Sequence, residues 1–202
     1  MPCTLTHERA LWRQGIDPIA GIDEAGRGPL AGPVVVAAAV LTKSFRLPEL
    51  NDSKKLTPAL REKLYPRLVE MTTWSVAVLH QDEIDRINIL RATHEGMRRA
   101  ATTLSVTAVH VLIDGLPVPN FPLPQTALVK GDSLSKSIAA ASVIAKVTRD
   151  RIMDEMHERY PHYGFRQHKG YATKEHLLKL REHGPCPIHR QSFEPVAQQY
   201  LF

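Results

Sequence analysis

Apolar and polar positions alternate along the chain in two rhythms. Ile19 to Ile22 and Val34 to Leu41 are short apolar runs that read as strands, separated by a turn rich in Gly and Pro that predicts a hairpin. Thr57 followed by Pro58 predicts an N-cap and first helical position, opening a helix with Leu60, Leu64 and Leu68 on one face. Trp74 to Leu79 reads as a third strand. Asp82 to about Thr103 reads as one long helix, with Ile84, Ile87, Leu90 and Met97 at helical spacing. Val109 to Ile113 predicts a strand ending at Asp114-Gly115, and Thr126 to Val129 a short one ending at Lys130-Gly131-Asp132. From Ser135 to about Tyr160 the pattern is helical. Its first half, Ile138 to Ala145, is nearly all small and apolar, as expected of a helix lying tightly on a sheet.

Strands alternating with helices make the fold class α/β. Beyond Pro161 the chain turns to His, Gly, Pro and basic residues, with a helix expected from Thr173 to about His183 and another after Ser192. This predicts a single domain over 1–202 with a helical C-terminal extension from about 162. The 202 residues suffice for a core without disulfides or a structural metal. No stretch approaches the roughly 18 apolar residues of a membrane span, and no signal-peptide pattern opens the chain, so a cytoplasmic protein is expected. Cys3 and Cys186 are too few and too far apart for a disulfide framework. No heptad or exposed apolar seam is visible, which predicts a monomer.

A formal charge of +5 favours approach to a polyanion, although the same balance also serves solubility. The acidic residues sharpen the picture. Asp23, Glu24, Asp114 and Asp132 each fall at or just after a predicted strand end, where the sites of open α/β sheets gather. Clustered carboxylates repel one another unless a proton or a cation intervenes. Oxygen-only ligation suits Mg²⁺ or Mn²⁺, and two such ions about 3.5–4 Å apart can clamp an in-line displacement at a phosphodiester. Taken one at a time, each acid reads better as a turn or cap residue. Asp23 and Glu24 pose a further difficulty, since adjacent strand residues face opposite ways. Either the strand bulges toward Gly26, or Glu24 contributes its carbonyl or a more distant contact.

Gly21-Ile-Asp-Glu-Ala-Gly-Arg-Gly-Pro-Leu-Ala-Gly-Pro-Val-Val, followed by Asp52-Ser-Lys-Lys-Leu, is similar to the signature of ribonuclease HII. Ile113-Asp-Gly, Lys130-Gly-Asp-Ser, the run from Ser137 to Asp150, and His168-Lys-Gly-Tyr-Ala-Thr follow in the family's order. The resemblance covers nearly the whole chain. It implies a ribonuclease H-like fold, with a mixed central sheet flanked by helices and a C-terminal extension that helps grip a duplex. It implies that Asp23, Glu24, Asp114 and Asp132 form the metal-binding and catalytic set, with two Mn²⁺ or Mg²⁺ ions in the catalytic state. The substrates implied are RNA–DNA hybrids and duplex DNA with embedded ribonucleotides, cut 5′ to the ribonucleotide to leave 5′-phosphate and 3′-hydroxyl ends. Such cutting would serve ribonucleotide removal and RNA primer removal.

Within that resemblance, Gly26-Arg27-Gly28 reads the 2′-hydroxyl, the group that separates RNA from DNA. Tyr171 presses on the following deoxyribose; the plain alternative is a half-buried anchor. Lys54 and Lys55 are expected to meet phosphates. Lys146, Arg149, His168 and Lys169 are further candidates for the charged surface, although Lys146 also lies four helical residues from Asp150. His183, Cys186 and His189 have a zinc-like spacing but no fourth local ligand, so a Pro-rich surface loop is the expectation there. Gln198 to Phe202 weakly resembles a sliding-clamp-binding peptide, against the simpler reading that Leu201 and Phe202 cover the core. Two other classes stay open. A nucleic-acid-binding module without catalysis would bind independently of metal, and a different nuclease of this fold would cut DNA lacking ribonucleotides.

Overall fold

The computed structural model describes residues 3–200, the last two by backbone alone. Its frame is a five-stranded sheet in the order β3-β2-β1-β4-β5. Strands β1 (Ile19–Ala25), β2 (Val34–Val40) and β3 (Thr73–Leu79) form an antiparallel meander, while β4 (His110–Asp114) and β5 (Gln125–Leu128) run parallel to β1. The sheet is therefore mixed, and β1 is its centre. No helix is long and apolar enough to cross a membrane among the described residues.

Helices cover both faces. On one lies α5 (Lys136–Arg159), with α2 (Pro58–Met71) packed beside it. Val35, Ala37 and Ala39 meet Ala140, Ile144 and Leu64 there. Burying each branched side chain contributes about 2 kcal/mol. The approach of α5 is so close that a Cβ on Gly21 would sit 2.1 Å from the Ser137 carbonyl carbon. Buried Glu8, from the short helix α1 (Thr6–Trp12), fixes the start of α5 by accepting from the Ser137 N–H and the Ser135 and Ser137 hydroxyls. On the opposite face, Ile22, Val34, Val36 and Ile113 pack against Ala92, Met97 and Ala100.

The single helix expected from Asp82 to Thr103 is two. α3 (Gln81–Ile87) stops at Asn88, whose φ of 67° breaks the helical path, and α4 (Ile89–Thr102) starts anew with the Asn88 side chain accepting from the Arg91 N–H at 3.0 Å. Apolar Ile87 and Ile89 on either side keep the periodicity looking continuous. The Thr57 cap and Pro58 start appear as expected, with Thr57 accepting from Leu60 N.

After α5 the chain forms a 3₁₀ turn, Pro161–Tyr163, then α6 (Phe165–His168) and α7 (Lys174–His183). Met153, Tyr163, Phe165 and Ile188 join this extension to Ala31, in the loop after β1. The helix expected beyond Ser192 is only a 3₁₀ turn, Ala197–Tyr200. Of the clamp-like peptide, Gln198 to Phe202, the last two residues lie outside the described residues and the two before them are described by backbone alone.

Candidate active site

Strand pleating decides which acids meet. β1 pairs with β2 without a bulge, Asp23 opposite Ala37 and Glu24 opposite Val36, so the two side chains leave opposite faces of the sheet. Asp23 faces α5. Asp114, the last residue of β4, is two residues beyond Leu112, which packs on Ile138 of α5, so it shares that face. Asp132 arrives from the 3₁₀ turn Gly131–Ser133, entered through Lys130 at φ 58°. The Gly131 N–H donates to Asp114 Oδ1 at 2.6 Å, tying the turn to the strand end. Asp23, Asp114 and Asp132 each present a carboxylate oxygen, all within 4.8 Å of one another.

Their environment is short of positive charge. Burial, and then Glu24 and Asp114, push the Asp23 carboxyl well above its ordinary range. Burial, Asp114 and Asp52 raise Asp132. Lys54 stands 3.8 Å from Asp132; burial lowers its ammonium, and Asp23, Asp132, Asp52 and Asp114 more than offset this. A hard divalent cation fits such a set, because it neutralises the repulsion and takes the oxygens as ligands. Glu24 is outside the trio. It lines a recess on the α4 side with Arg27, His94 and Asp114, where burial raises it, Arg27 at 3.5 Å lowers it, and Asp114 raises it again, for a net rise. Its position answers the bulge question: the strand stays regular, and Glu24 leaves the opposite face of β1, lining both this recess and a cleft it shares with Lys54.

Glu24, Gly26, Arg27, Gly28, Lys54, Lys146 and Tyr171 line one cleft. Gly26, at φ 98°, sits where a Cβ would be 2.0 Å from Arg149 Nε, so no side chain fits. A Cβ on Gly28 would lie 3.8 Å from the Tyr171 ring. Lys55 donates to Ser133 Oγ at 2.7 Å and pairs with Asp52 at 3.7 Å. Lys146 pairs with Asp150 at 2.6 Å.

Two of the expected surface cations are interior, and a third is paired. Arg149 is fully buried beneath the loop, donating to the carbonyls of Pro33 at 2.9 Å and Ala31 at 3.2 Å, so it cannot meet a phosphate as a surface group. His168 is buried too, bonded to the Tyr163 carbonyl at 2.7 Å. Lys169 is held by Asp154. The segment expected as a surface loop is also interior at its end, with His189 and Arg190 buried. Arg190 donates to three carbonyls: Gly26 at 2.5 Å, Arg27 at 2.8 Å and Gly32 at 3.0 Å. Among the described residues neither buried guanidinium forms an ion pair within 4 Å; backbone carbonyls satisfy them, all but Arg149 Nη1.

The buried histidines form a directed chain. The Tyr171 carbonyl can only accept, so Nδ1 of His176 carries the proton at 2.9 Å. Nε2 of His176 is then the acceptor of the His189 Nε2–H at 3.0 Å, and His189 Nδ1 accepts from the Cys186 N–H at 2.9 Å. Both rings are neutral, burial holding each down to about 4. Sequence reasoning passed over Asp52, His94 and Arg190. Asp52 carried a signal, preceding Ser-Lys-Lys, and it caps that turn by accepting from Lys54 N at 2.9 Å. Arg190 carried none.

The family description "Ribonuclease HII" matches residues 20–196. Ribonuclease HII of Desulfitobacterium hafniense is 53% identical over 196 residues, covering 96% of this chain and 75% of its own length. Among solved structures, ribonuclease H2 from Pyrococcus horikoshii aligns with a TM-score of 0.76 at 28% identity, over 91% of this chain and 97% of its own. Ribonuclease HII of Archaeoglobus fulgidus, solved as a complex with PCNA, aligns with a TM-score of 0.72 at 27% identity, over 88% and 96%.

Proposed function

The chain belongs to the ribonuclease HII family, hydrolases of the RNA in RNA–DNA hybrids, and on that premise we propose that it cuts 5′ to ribonucleotides embedded in duplex DNA as well as within hybrids. The observation that carries this is the convergence of three carboxylate oxygens within 4.8 Å beside a cleft bounded by Gly26-Arg27-Gly28 and Tyr171. Asp23, Asp114 and Asp132 would hold Mn²⁺ or Mg²⁺, with Glu24 contributing from the opposite face of β1. Two bound ions would lower the pKa of an attacking water and offset charge on the departing 3′-oxygen.

The chain's own residues do the rest. Lys54 and Lys55 take the phosphates flanking the cut, as point charges at the mouth of the acidic cluster. The backbone at Gly26 and Gly28, free of Cβ atoms, lies against the ribose and bonds its 2′-hydroxyl. Arg27 holds Glu24 and faces the phosphate. The Tyr171 ring rests on the next sugar, where a deoxyribose leaves room that a 2′-hydroxyl would fill. Lys146 lies on the Tyr171 side, beside the following phosphate. Phosphodiester hydrolysis then leaves a 3′-hydroxyl and a 5′-phosphate, as ribonucleotide excision and primer removal require.

The test is a DNA duplex carrying one ribonucleotide, incubated with Mg²⁺, Mn²⁺ or a chelator beside an all-DNA control and the Asp114→Asn variant. Metal-dependent cutting on the 5′ side, absent from the control and lost in the variant, is expected. Equal cutting of all-DNA duplex, or binding without cutting, would overturn the reading. The archaeal relative's complex with PCNA makes Gln198 to Phe202 a clamp-binding peptide by analogy; clamp binding that survives deletion of 198–202 would remove that assignment.

A further inference from the structure

A second groove, of ≈ 680 Å³, runs along the outer side of α4, away from the three-carboxylate cluster. Leu90, His94 and Pro119 line both this groove and the recess that holds Glu24, Arg27 and Asp114, so the two are continuous. Its charge is lopsided. Arg86, Arg91, Arg98 and Arg99 face Glu83 and Glu95. Arg99 is engaged by both acids, while Arg98 meets Glu95 at 3.6 Å and donates to the Pro119 and Asn120 carbonyls. Arg86 and Arg91 are exposed and have no acidic partner within 4 Å among the described residues. Burial, Arg98 and Arg27 depress His94, so it adds no charge at neutral pH and leaves the two arginines as the available cations.

We propose that this groove binds the backbone of the uncut strand of the duplex, with Arg86 and Arg91 as its phosphate contacts. The proposal rests on the active-site reading above, and the geometry of β1 supplies its logic. Asp23 and Asp132 lie on the α5 side of the sheet, whereas Glu24, besides lining the cleft with Lys54, opens onto the recess on the α4 side. A duplex whose cut strand occupies the first face, lying across the ends of β1 and β4, carries its second strand over the other. From Leu90 to Arg98 the groove follows α4 for about 12 Å at ~1.5 Å per residue. That is about three nucleotide steps at ~3.4 Å each. Leu90, 50% exposed, and Leu116, 76% exposed, flank the junction between groove and recess and offer apolar surface to sugars rather than to phosphates.

The experiment compares Arg86→Glu/Arg91→Glu with a charge-matched control, Arg9→Glu/Arg13→Glu, at exposed positions on α1 and just after it. Steady-state cleavage of a duplex with one ribonucleotide is followed across salt concentration, and binding of the same duplex is followed by fluorescence anisotropy in chelator. The groove variant should raise KM and Kd about tenfold, leave kcat within about twofold, and flatten the salt dependence by about two phosphate contacts. The control should move Kd less than about threefold. Equal effects in the two variants, or a loss confined to kcat, would overturn the groove. A wild-type protein whose binding depends on Arg86 and Arg91 but which cuts nothing would sink the enzymatic reading and leave the groove standing.

Discussion

Two places in this molecule crowd like charges together, and they resolve the crowding in opposite ways. At the ends of β1 and β4, three acids approach within 4.8 Å with one lysine within 4 Å among the described residues, and the Asp23 and Asp132 carboxyls are driven up in pKa. Under the Gly26 loop, two guanidiniums are buried with no acid within 4 Å among the described residues, yet five backbone carbonyls accept from them. The first arrangement is left incomplete and invites a cation. The second is nearly closed and fixes a loop. Frustrated charge here marks chemistry, and satisfied charge marks scaffolding.

The comparison breaks most sharply at Asp23. Replacing it with Asn removes one buried charge from an uncompensated set, so cleavage should fall by at least about 10³-fold. The metal-free protein should meanwhile melt about 3 °C higher, since about 1 kcal/mol of relieved repulsion moves a chain of this size by ~2–4 °C. Addition of Mn²⁺ should stabilise the wild type and leave the variant unmoved; an unchanged or lower melting point in chelator would contradict the account. At Arg190 the sign reverses. Arg190→Met strands three carbonyls and should cost about 3 kcal/mol or more, a fall of about 10 °C. Arg190→Lys should not restore it, because an ammonium cannot reach three divergent acceptors. Full rescue by Lys would show that charge alone matters there.

The histidine chain sharpens the contrast through pH. Above about pH 6.5 His176 and His189 are neutral folded or unfolded, and they make stability no steeper. As pH falls the unfolded chain takes up protons that the folded rings, held to about 4, refuse, so stability declines from pH 6.5 and levels off near pH 4. Denaturant midpoints should track that window, and the His176→Gln/His189→Gln variant should flatten it by several kcal/mol. Parallel curves for the two proteins would remove these rings as the cause. The smallest effect is at Tyr171, whose carbonyl the chain holds and whose ring is 45% exposed. Tyr171→Ala should raise KM about tenfold, roughly 1.4 kcal/mol, and Tyr171→Phe should leave it nearly unchanged. Equal losses in both would assign the contact to the hydroxyl instead.

Much of the frame was legible because it follows from local pattern. The runs at Ile19, Val34 and Val109 and the small-residue stretch from Ile138 to Ala145 could only be buried strands and a tightly packed helix. Asp23 and Asp114 were legible as strand-end acids, and their meeting on one face follows from pleating. What escaped depends on the third dimension. Asn88 ends α3 through one backbone torsion that the flanking isoleucines conceal. A buried arginine has the same letter as an exposed one, so Arg149 read as a phosphate contact and Arg190 as nothing. His168 and His189 read as surface residues for the same reason: their partners are carbonyls and rings supplied by distant segments.

Arg190 also has a temporal meaning. The loop it completes precedes it by about 160 residues, so three of the loop's carbonyl partnerships form only after Arg190 itself has been made. A chain stopped before Arg190 therefore carries Asp23, Asp114 and Asp132 beside a loop whose Gly26, Arg27 and Gly32 carbonyls lack that partner. The order of that loop thus depends on a side chain made later than every acid of the cluster, so the C-terminal extension acts as a delayed brace on a segment laid down long before it.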